Sequence, residues 1–257
     1  NGNVTFRRCE INGFNAYGGK GTATFENCVF GNDESGYNGL NTYSNTVLKD
    51  CKFVYNSGKT NFIDMEGTGK TLSITNCTAT LDGTETPVIN FVGGSQLDNN
   101  TVILDGKTYA SSQTSLLNAL NNGATEVLLK DGNYTMPEPD LRGKGLTVTG
   151  SKDVVIDASA VDARDQFVTG ATLKFEGVTL NFGTVNYMGF ANTASLTYKE
   201  CKINGLQALS LRGLHTLLIC NNIKAFLQCG EACDRAYNYG SVFQFHEGYC
   251  QRQQEQQ

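Results

Sequence analysis

Nine cysteines, two histidines and 25 carboxylates set against 20 Lys and Arg are the groups in this 257-residue chain that could ligate a metal, attack a carbonyl or move a proton. Five of the cysteines share one local pattern: Phe6-Arg7-Arg8-Cys9-Glu10-Ile11, Phe25-Glu26-Asn27-Cys28-Val29-Phe30, Leu48-Lys49-Asp50-Cys51-Lys52-Phe53, Ile74-Thr75-Asn76-Cys77-Thr78-Ala79 and Tyr198-Lys199-Glu200-Cys201-Lys202-Ile203. Each reads apolar, two polar, Cys, one residue that is polar in all but the second (Val29), apolar. No two of these cysteines are spaced as C-x₂₋₄-C, so the pattern is not a set of zinc ligands. Steps of 19, 23 and 26 residues between the first four mark a structural repeat instead. A thiol packs as a small hydrophobe, so Cys9, Cys28, Cys51, Cys77 and Cys201 are expected to stack inward as a ladder of free thiols. On that reading Cys51→Ser buries a hydroxyl with no partner, at a cost of about 1–3 kcal/mol.

Other groups with chemical potential are scattered. Residues 208–257 hold His215, His246, Cys220, Cys229, Cys233, Cys250 and a Gln-rich tail. Cys229-x₃-Cys233 with His246 and Cys250 has metal-ligand chemistry but no recognised zinc spacing; disulfides, an atypical terminal cap or a non-native stretch are the other readings. No metal or cofactor is assigned. Asp153, Asp157, Asp162 and Asp165 offer the oxygen ligands calcium takes, or are a solvated turn. Arg7, Arg8, Lys49 and Lys52 either line a basic strip or are the wet face of strands. Gly18-Gly19-Lys20-Gly21 is a turn, since no helix follows to make it a phosphate loop. Tyr17, Tyr37, Tyr43, Tyr55 and Tyr187 lie in Asn- and Gly-rich connections. A ring face beside hydrogen-bonding groups suits sugar recognition, and packing over turn backbone is the alternative.

The elements that must position these groups are short. Runs such as Val4-Thr5-Phe6 and Thr46-Val47-Leu48 are β-rich and separated by Gly/Asn stretches. No repeat has room for two helices. A coil of three strands and three turns fits, and stacked coils bury the apolar positions of each strand. The composition agrees: 29 Gly, 26 Asn, 27 Thr and only 3 Pro exclude collagen and Pro-rich linkers. A net charge of −5 is too mild for an acidic disordered tail and of the wrong sign for nucleic acid. No apolar run reaches the ~20 residues that span a bilayer. The chain begins Asn1-Gly2-Asn3 without an apolar leader, so any signal peptide is expected upstream. One helix is expected at 112–122, with Leu116, Leu117 and Leu120 on its buried stripe and Gly123 as its stop. That stripe should dock on Val127 and Leu129.

The Phe-x-Asn-Cys-x-Phe repeats, together with the order helix, Glu126–Leu129, Asp131-Gly132-Asn133-Tyr134 and Gly145-Leu146-Thr147-Val148-Thr149-Gly150, resemble the right-handed parallel β-helix of the pectin-lyase-like superfold. The resemblance covers about residues 3–206, with Val178 in the Cys position of a further repeat. It implies an all-β solenoid with one capping helix that plugs the open end of the coils. Because that helix follows four coils, two β-helices in tandem are expected: residues 1–105, then 106–207, with 208–257 atypical. One β-helix interrupted by a helix is the alternative. The family's Asn-Thr-Asp, Asp-Asp and Gly-His-Gly motifs and its Arg-x-Pro-x-x-Arg pattern are missing. The expected function is therefore a non-catalytic module for adhesion, glycan binding or rigid display, on a bacterial surface or outside the cell, with polysaccharide or cell-surface glycan as partner. The alternative is a lyase or hydrolase acting on acidic polysaccharide.

Overall fold

The computed structural model describes residues 2–16, 20–31, 39–56, 63–137, 140–160, 168–182 and 193–204, and beyond them the backbone of four short strands. It is a parallel β-solenoid with one α-helix among the described residues, divided into two compact units, Asn1–Ser111 and Ser112–Gln257.

The first unit is built coil by coil. Coil one is β1 (Val4–Arg7), β2 (Glu10–Ile11) and β3 (Phe14–Ala16); coil two is β4 (Thr22–Glu26), β5 (Val29–Gly31) and β6 (Leu40–Thr42); coil three is β7 (Asn45–Lys49), β8 (Lys52–Tyr55) and β9 (Ile63–Met65). Coil four begins with β10 (Thr71–Thr75) and β11 (Thr78–Leu81), folds back through β12 (Thr84–Thr86), and regains the third face at β13 (Val92–Gly93). A fifth pass, β14 (Thr101–Leu104), turns back on itself as β15 (Lys107–Ala110). Like strands pair in parallel, so that like side chains stack: Phe6 on Phe25 on Leu48 on Ile74, and Ile11 on Phe30 on Phe53 on Ala79. Phe6 and Phe25 stack at 5.0 Å between ring centroids, Phe30 and Phe53 at 4.9 Å. These are the apolar positions of the repeat, and the register the pattern demands is the register found.

Both antiparallel returns have one local cause. Asp82-Gly83 and Asp105-Gly106 all adopt positive φ (49°, 77°, 47° and 85°), the backbone of a type I′ hairpin. Asp-Gly is the strongest short hairpin signal a sequence carries. The sequence reading passed over both.

In the second unit, α1 (Gln113–Asn121) starts at a capping box between Ser112 and Ser115. It ends at Gly123 (φ 80°), where Gly123 N–H donates to Leu120 and Ala124 N–H to Ala119, a Schellman closure. Leu116, Ala119 and Leu120 are its buried face. Leu117, expected on that face, is 39% exposed. At 100° per residue it lies a quarter-turn from Leu116, and the i, i+3, i+4 stripe runs through Ala119 instead.

The helix packs on β16 (Glu126–Leu129) and β17 (Gly132–Thr135). Three further coils follow: β18 (Gly145–Thr149) with β19 (Val154–Asp157), β20 (Thr172–Glu176) with β21 (Thr179–Asn181), and β22 (Ser195–Lys199) with β23 (Lys202–Asn204). Then β24 (His215–Ile219) and β25 (Asn222–Lys224) continue both sheets in parallel, before β26 (Arg235–Tyr239) and β27 (Val242–His246) close as an antiparallel pair. Coil order thus persists past 207, where the sequence reading ended it. The repeat was missed because the residue before β25 in the sequence is Asn221, whereas Cys201 precedes β23. The two compact units divide at 111/112, with β15 in the first unit as a hairpin arm.

Candidate functional site

The cysteine corner comes first because its repeat is the clearest. The residue before each ladder position has left-handed backbone: Arg8, Asn27, Asp50, Asn76 and Glu200 have φ between 52° and 56°, and Gly177, before Val178, has φ 76°. Its N–H donates to the next coil, as from Asn27 to Lys49 O (3.0 Å) and Asp50 to Thr75 O (3.0 Å). The turn swings the following side chain inward. Cys28, Cys51, Val178 and Cys201 are buried, while Cys9 and Cys77, on the end rungs of the first unit, are half-buried. All five cysteines are free thiols.

Each buried thiol faces two carbonyls. Cys51 Sγ lies 3.3 Å from Lys49 O and 3.4 Å from Phe25 O; Cys201 Sγ lies 3.3 Å from both Lys199 O and Phe175 O. A serine at position 51 would therefore not lack a partner, contrary to expectation. Burial pushes the Cys28 thiol up, and a hydrogen bond with Cys51 together with burial holds Cys77 far above the usual thiol range. Cys51 shifts the other way: its hydrogen bond with Cys77 lowers its thiol to about 7, so the row is packed but its thiols do not share one protonation tendency.

The tyrosines divide differently. Tyr55 is fully buried, its ring against Phe53 (5.9 Å) and Phe91 (5.2 Å), so it is not a sugar platform. It occupies an inward rung of β8, where strand alternation sends it to the core. Tyr43 is half-buried in the tight corner between β6 and β7, beside the buried hydroxyl cluster of Thr42, Ser44 and Thr46. Tyr17, Tyr37 and Tyr187 lie outside the described residues, as do Asp162, Asp165, Cys220, Cys229, Cys233 and Cys250. The side chains of His215 and His246 do too. Asp157 is described and exposed; hydrogen bonding with the Ser159 side chain, and with Ser159 N–H (2.9 Å), lowers the pKa of its carboxyl. Among the described residues no three His, Cys, Asp or Glu side chains converge as metal ligands, and no helix is long and apolar enough to cross a membrane.

One member of the basic strip has a carboxylate partner. Arg7 Nε pairs with Glu26 (2.6 Å) on the next coil. In the second unit Glu176 accepts from Lys199 and from Lys174 (2.9 Å), which hold its carboxyl at about 2.

One open surface does gather polar groups. On the outer face of β17, β19 and β21 the register brings Thr135, Asp157 and Asn181 into one row, extended by Asn204 on β23, with Asn133 and Val155 in the row beside it. Asn204 Nδ2 donates to Asn181 Oδ1 (2.7 Å). Gln113 and Ser159 form the rims of the resulting shallow groove of about 600 Å³. Gln113 donates to Thr135 O (3.0 Å) and accepts from Thr135 N (2.8 Å), standing where a further strand would pair with β17. Tyr134 points inward and donates to Lys130 O (2.9 Å), leaving its ring edge at the groove floor. The groove can offer amide donors, amide and carboxylate acceptors and one aliphatic patch, Val155, at the coil spacing of about 4.8 Å. The sequence reading picked Asp157 for calcium and missed Asn133 and Asn181. Outward polar residues at matched positions of consecutive repeats were the available signal.

A second polar feature belongs to the first unit. Asp64 on β9 has Oδ1 enclosed without a hydrogen bond among the described residues; burial and the neighbouring Glu66 push its pKa up to about 6. Glu66 accepts from Ser95 Oγ (2.8 Å).

No protein-family model, curated protein or solved structure matches the chain.

Proposed function

We propose that the chain is a non-catalytic, extracellular β-helix module of a bacterial surface or secreted protein, of the right-handed pectin-lyase-like type, which holds out a rigid solenoid and binds glycans. The observation that carries this is the groove of the second unit. Hydroxyl groups of a sugar need paired donors and acceptors, and Asn133, Asn181 and Asp157 supply both on a frame that does not rearrange. Burial of Cys28, Cys51 and Cys201 is compatible with an oxidising exterior, because a packed thiol is shielded from attack. A glycan array probed with the chain and with an Asn133→Ala/Asn181→Ala variant tests the reading. Binding lost in a variant that melts like the parent supports it; an array blank for both overturns it.

A hydrolase is the second reading, and Asp64 is what favours it. A carboxyl raised to about 6 beside a second carboxyl group, Glu66, is a pairing that general-acid catalysis uses. Release of reducing ends from polysaccharide by the chain, abolished in Asp64→Asn, would establish it over the binding module.

A further inference from the structure

We infer that the groove of the second unit is selective by charge: it accepts an uncharged glycan chain lying along the solenoid axis and rejects uronic-acid polymers. The inference rests on the glycan-binding reading above and narrows its ligand.

Two features of the groove argue for it. The first is its charge. Its lining side chains are Gln113, Asn133, Tyr134, Thr135, Val155, Asp157, Ser159 and Asn181, without a Lys, Arg or His among them. The one ionised group, Asp157, stands mid-row between Thr135 and Asn181, and the Ser159 N–H at 2.9 Å favours its charged form. Lys202, in register with Thr179, lies outside the lining. In chain order, β25 then brings Lys224 to the position after Asn204. The turns before β17 and β19 carry Lys130-Asp131 and Lys152-Asp153, one charge of each sign. A carboxylate laid in this groove would face Asp157 with no compensating cation beside it.

The second feature is direction. The donor and acceptor row runs from coil to coil, across the strands, so successive groups are separated by the coil rise of about 4.8 Å. That rise is close to the length of one sugar ring in an extended chain, so successive residues of such a polymer would meet Thr135, Asp157 and Asn181 in turn. Hydroxyls donate to Asp157 and accept from the Asn181 amide. Uronate carboxylates, acceptors only, have a donor in Asn181 and a repelling charge one rung away.

The test uses hexasaccharides of neutral sugars and of uronic acids on one array, read with the chain and with Asp157→Asn, which keeps the acceptor that Ser159 N–H needs. Neutral chains are expected to bind, with uronates weaker by about tenfold or more, as like charges a few ångströms apart at a surface imply. Asp157→Asn should close that gap by raising uronate binding, and so should 1 M salt, which screens the repulsion. Uronates binding as well as neutral chains, or a gap that survives both Asp157→Asn and high salt, would overturn charge selection and leave the glycan-binding reading standing. Neither class binding would remove the reading on which the inference rests.

Discussion

The corner before each ladder cysteine shows how much a single backbone angle decides. A left-handed residue costs an L-amino acid with a Cβ roughly 1–2 kcal/mol, and Asn and Asp bear it best because their side chains bond locally. Asn27, Asp50 and Asn76 suit the position; Arg8 and Glu200 do not. Asn76 adds a bond of 2.6 Å from its Nδ2 to Asp50 Oδ1, linking two corners along the stack. Glu200→Asn should therefore stabilise the fold by about 0.5–1 kcal/mol, seen as a higher urea midpoint at unchanged slope, and Glu200→Val should lower it. Equal midpoints for Asn and Val would mean that the corner is not strained. Cys51→Ser should fall near the low end of the range first expected, about 1 kcal/mol, because Lys49 O and Phe25 O stand ready to accept the hydroxyl proton. A loss above roughly 3 kcal/mol would show those carbonyls to be out of reach. Asp64 works in the opposite sense to most carboxylates. Its pKa in the folded protein lies above the usual 3.8, so the protonated form is favoured by folding. Its contribution to stability is full below the unfolded value and is lost as pH rises through about 6. The first unit should thus gain stability from this group between pH 7.5 and 5. Asp64→Asn should raise the midpoint at pH 7.5 and flatten that part of the profile; a profile of unchanged shape would place the titration elsewhere.

At the scale of elements, two devices cover exposed strand edges. One is α1, whose Gln113 amide bonds both backbone groups of Thr135 while Leu116, Ala119 and Leu120 are buried beneath it. Burying a leucine side chain is worth about 1.5–3 kcal/mol, so Leu116→Asp/Leu120→Asp should detach the helix, bare the edge of β17 and drive aggregation. Leu117→Asp should be tolerated, because its side chain already meets water. Light scattering and thermal melting of both variants separate the cases, and equal behaviour would mean that the helix is not a cap. The other device is the pair of Asp-Gly hairpins, which return β12 against β11 and β15 against β14. What the sequence made legible here follows from periodicity. Phe6, Phe25, Leu48 and Ile74 recur at one place in each repeat, and no other register buries them all. Leu117 was misread because three leucines look like one stripe until the 100° step is applied. The Asn-rich stretches were misread as loops alone: Asn3, Asn45 and Asn100 each accept a backbone N–H of an adjacent coil (Thr22, 2.9 Å; Thr71, 3.0 Å; Lys70, 2.7 Å). An asparagine acting as a corner staple and one facing a ligand look alike in a sequence, since both follow the repeat. Their difference is which way the side chain turns, and that is set by the coil next door. Asn133 and Asn181 were missed for this reason.

For the molecule as a whole, a solenoid is a one-dimensional stack whose coils contact only their neighbours, so stability should vary along the axis. An inner coil has two partners and an end coil has one. The first unit shows the gradient in its burial: Phe6 and Phe14 of coil one are half-buried, Phe25, Phe30, Leu48 and Phe53 of coils two and three are fully buried, and the ladder thiols follow the same order. Opening of an end coil breaks one interface, whereas exposing an inner thiol breaks two. Amide exchange measured under native conditions should therefore be fastest in β1 and β2 and slowest in β5, β7 and β8. Thiols offer a second clock on the same motion. Cys9, half-buried at the end of the stack, should react first with a small thiol reagent. Cys77 should follow, slowed by its raised pKa, and Cys28 and Cys51 should react last, at a rate that rises with urea as the stack opens. The order matters more than any single rate. If Cys28 and Cys51 were labelled as fast as Cys9 in native buffer, the ladder would not be an interior row, and the register that places all four cysteines at one corner would have to be given up.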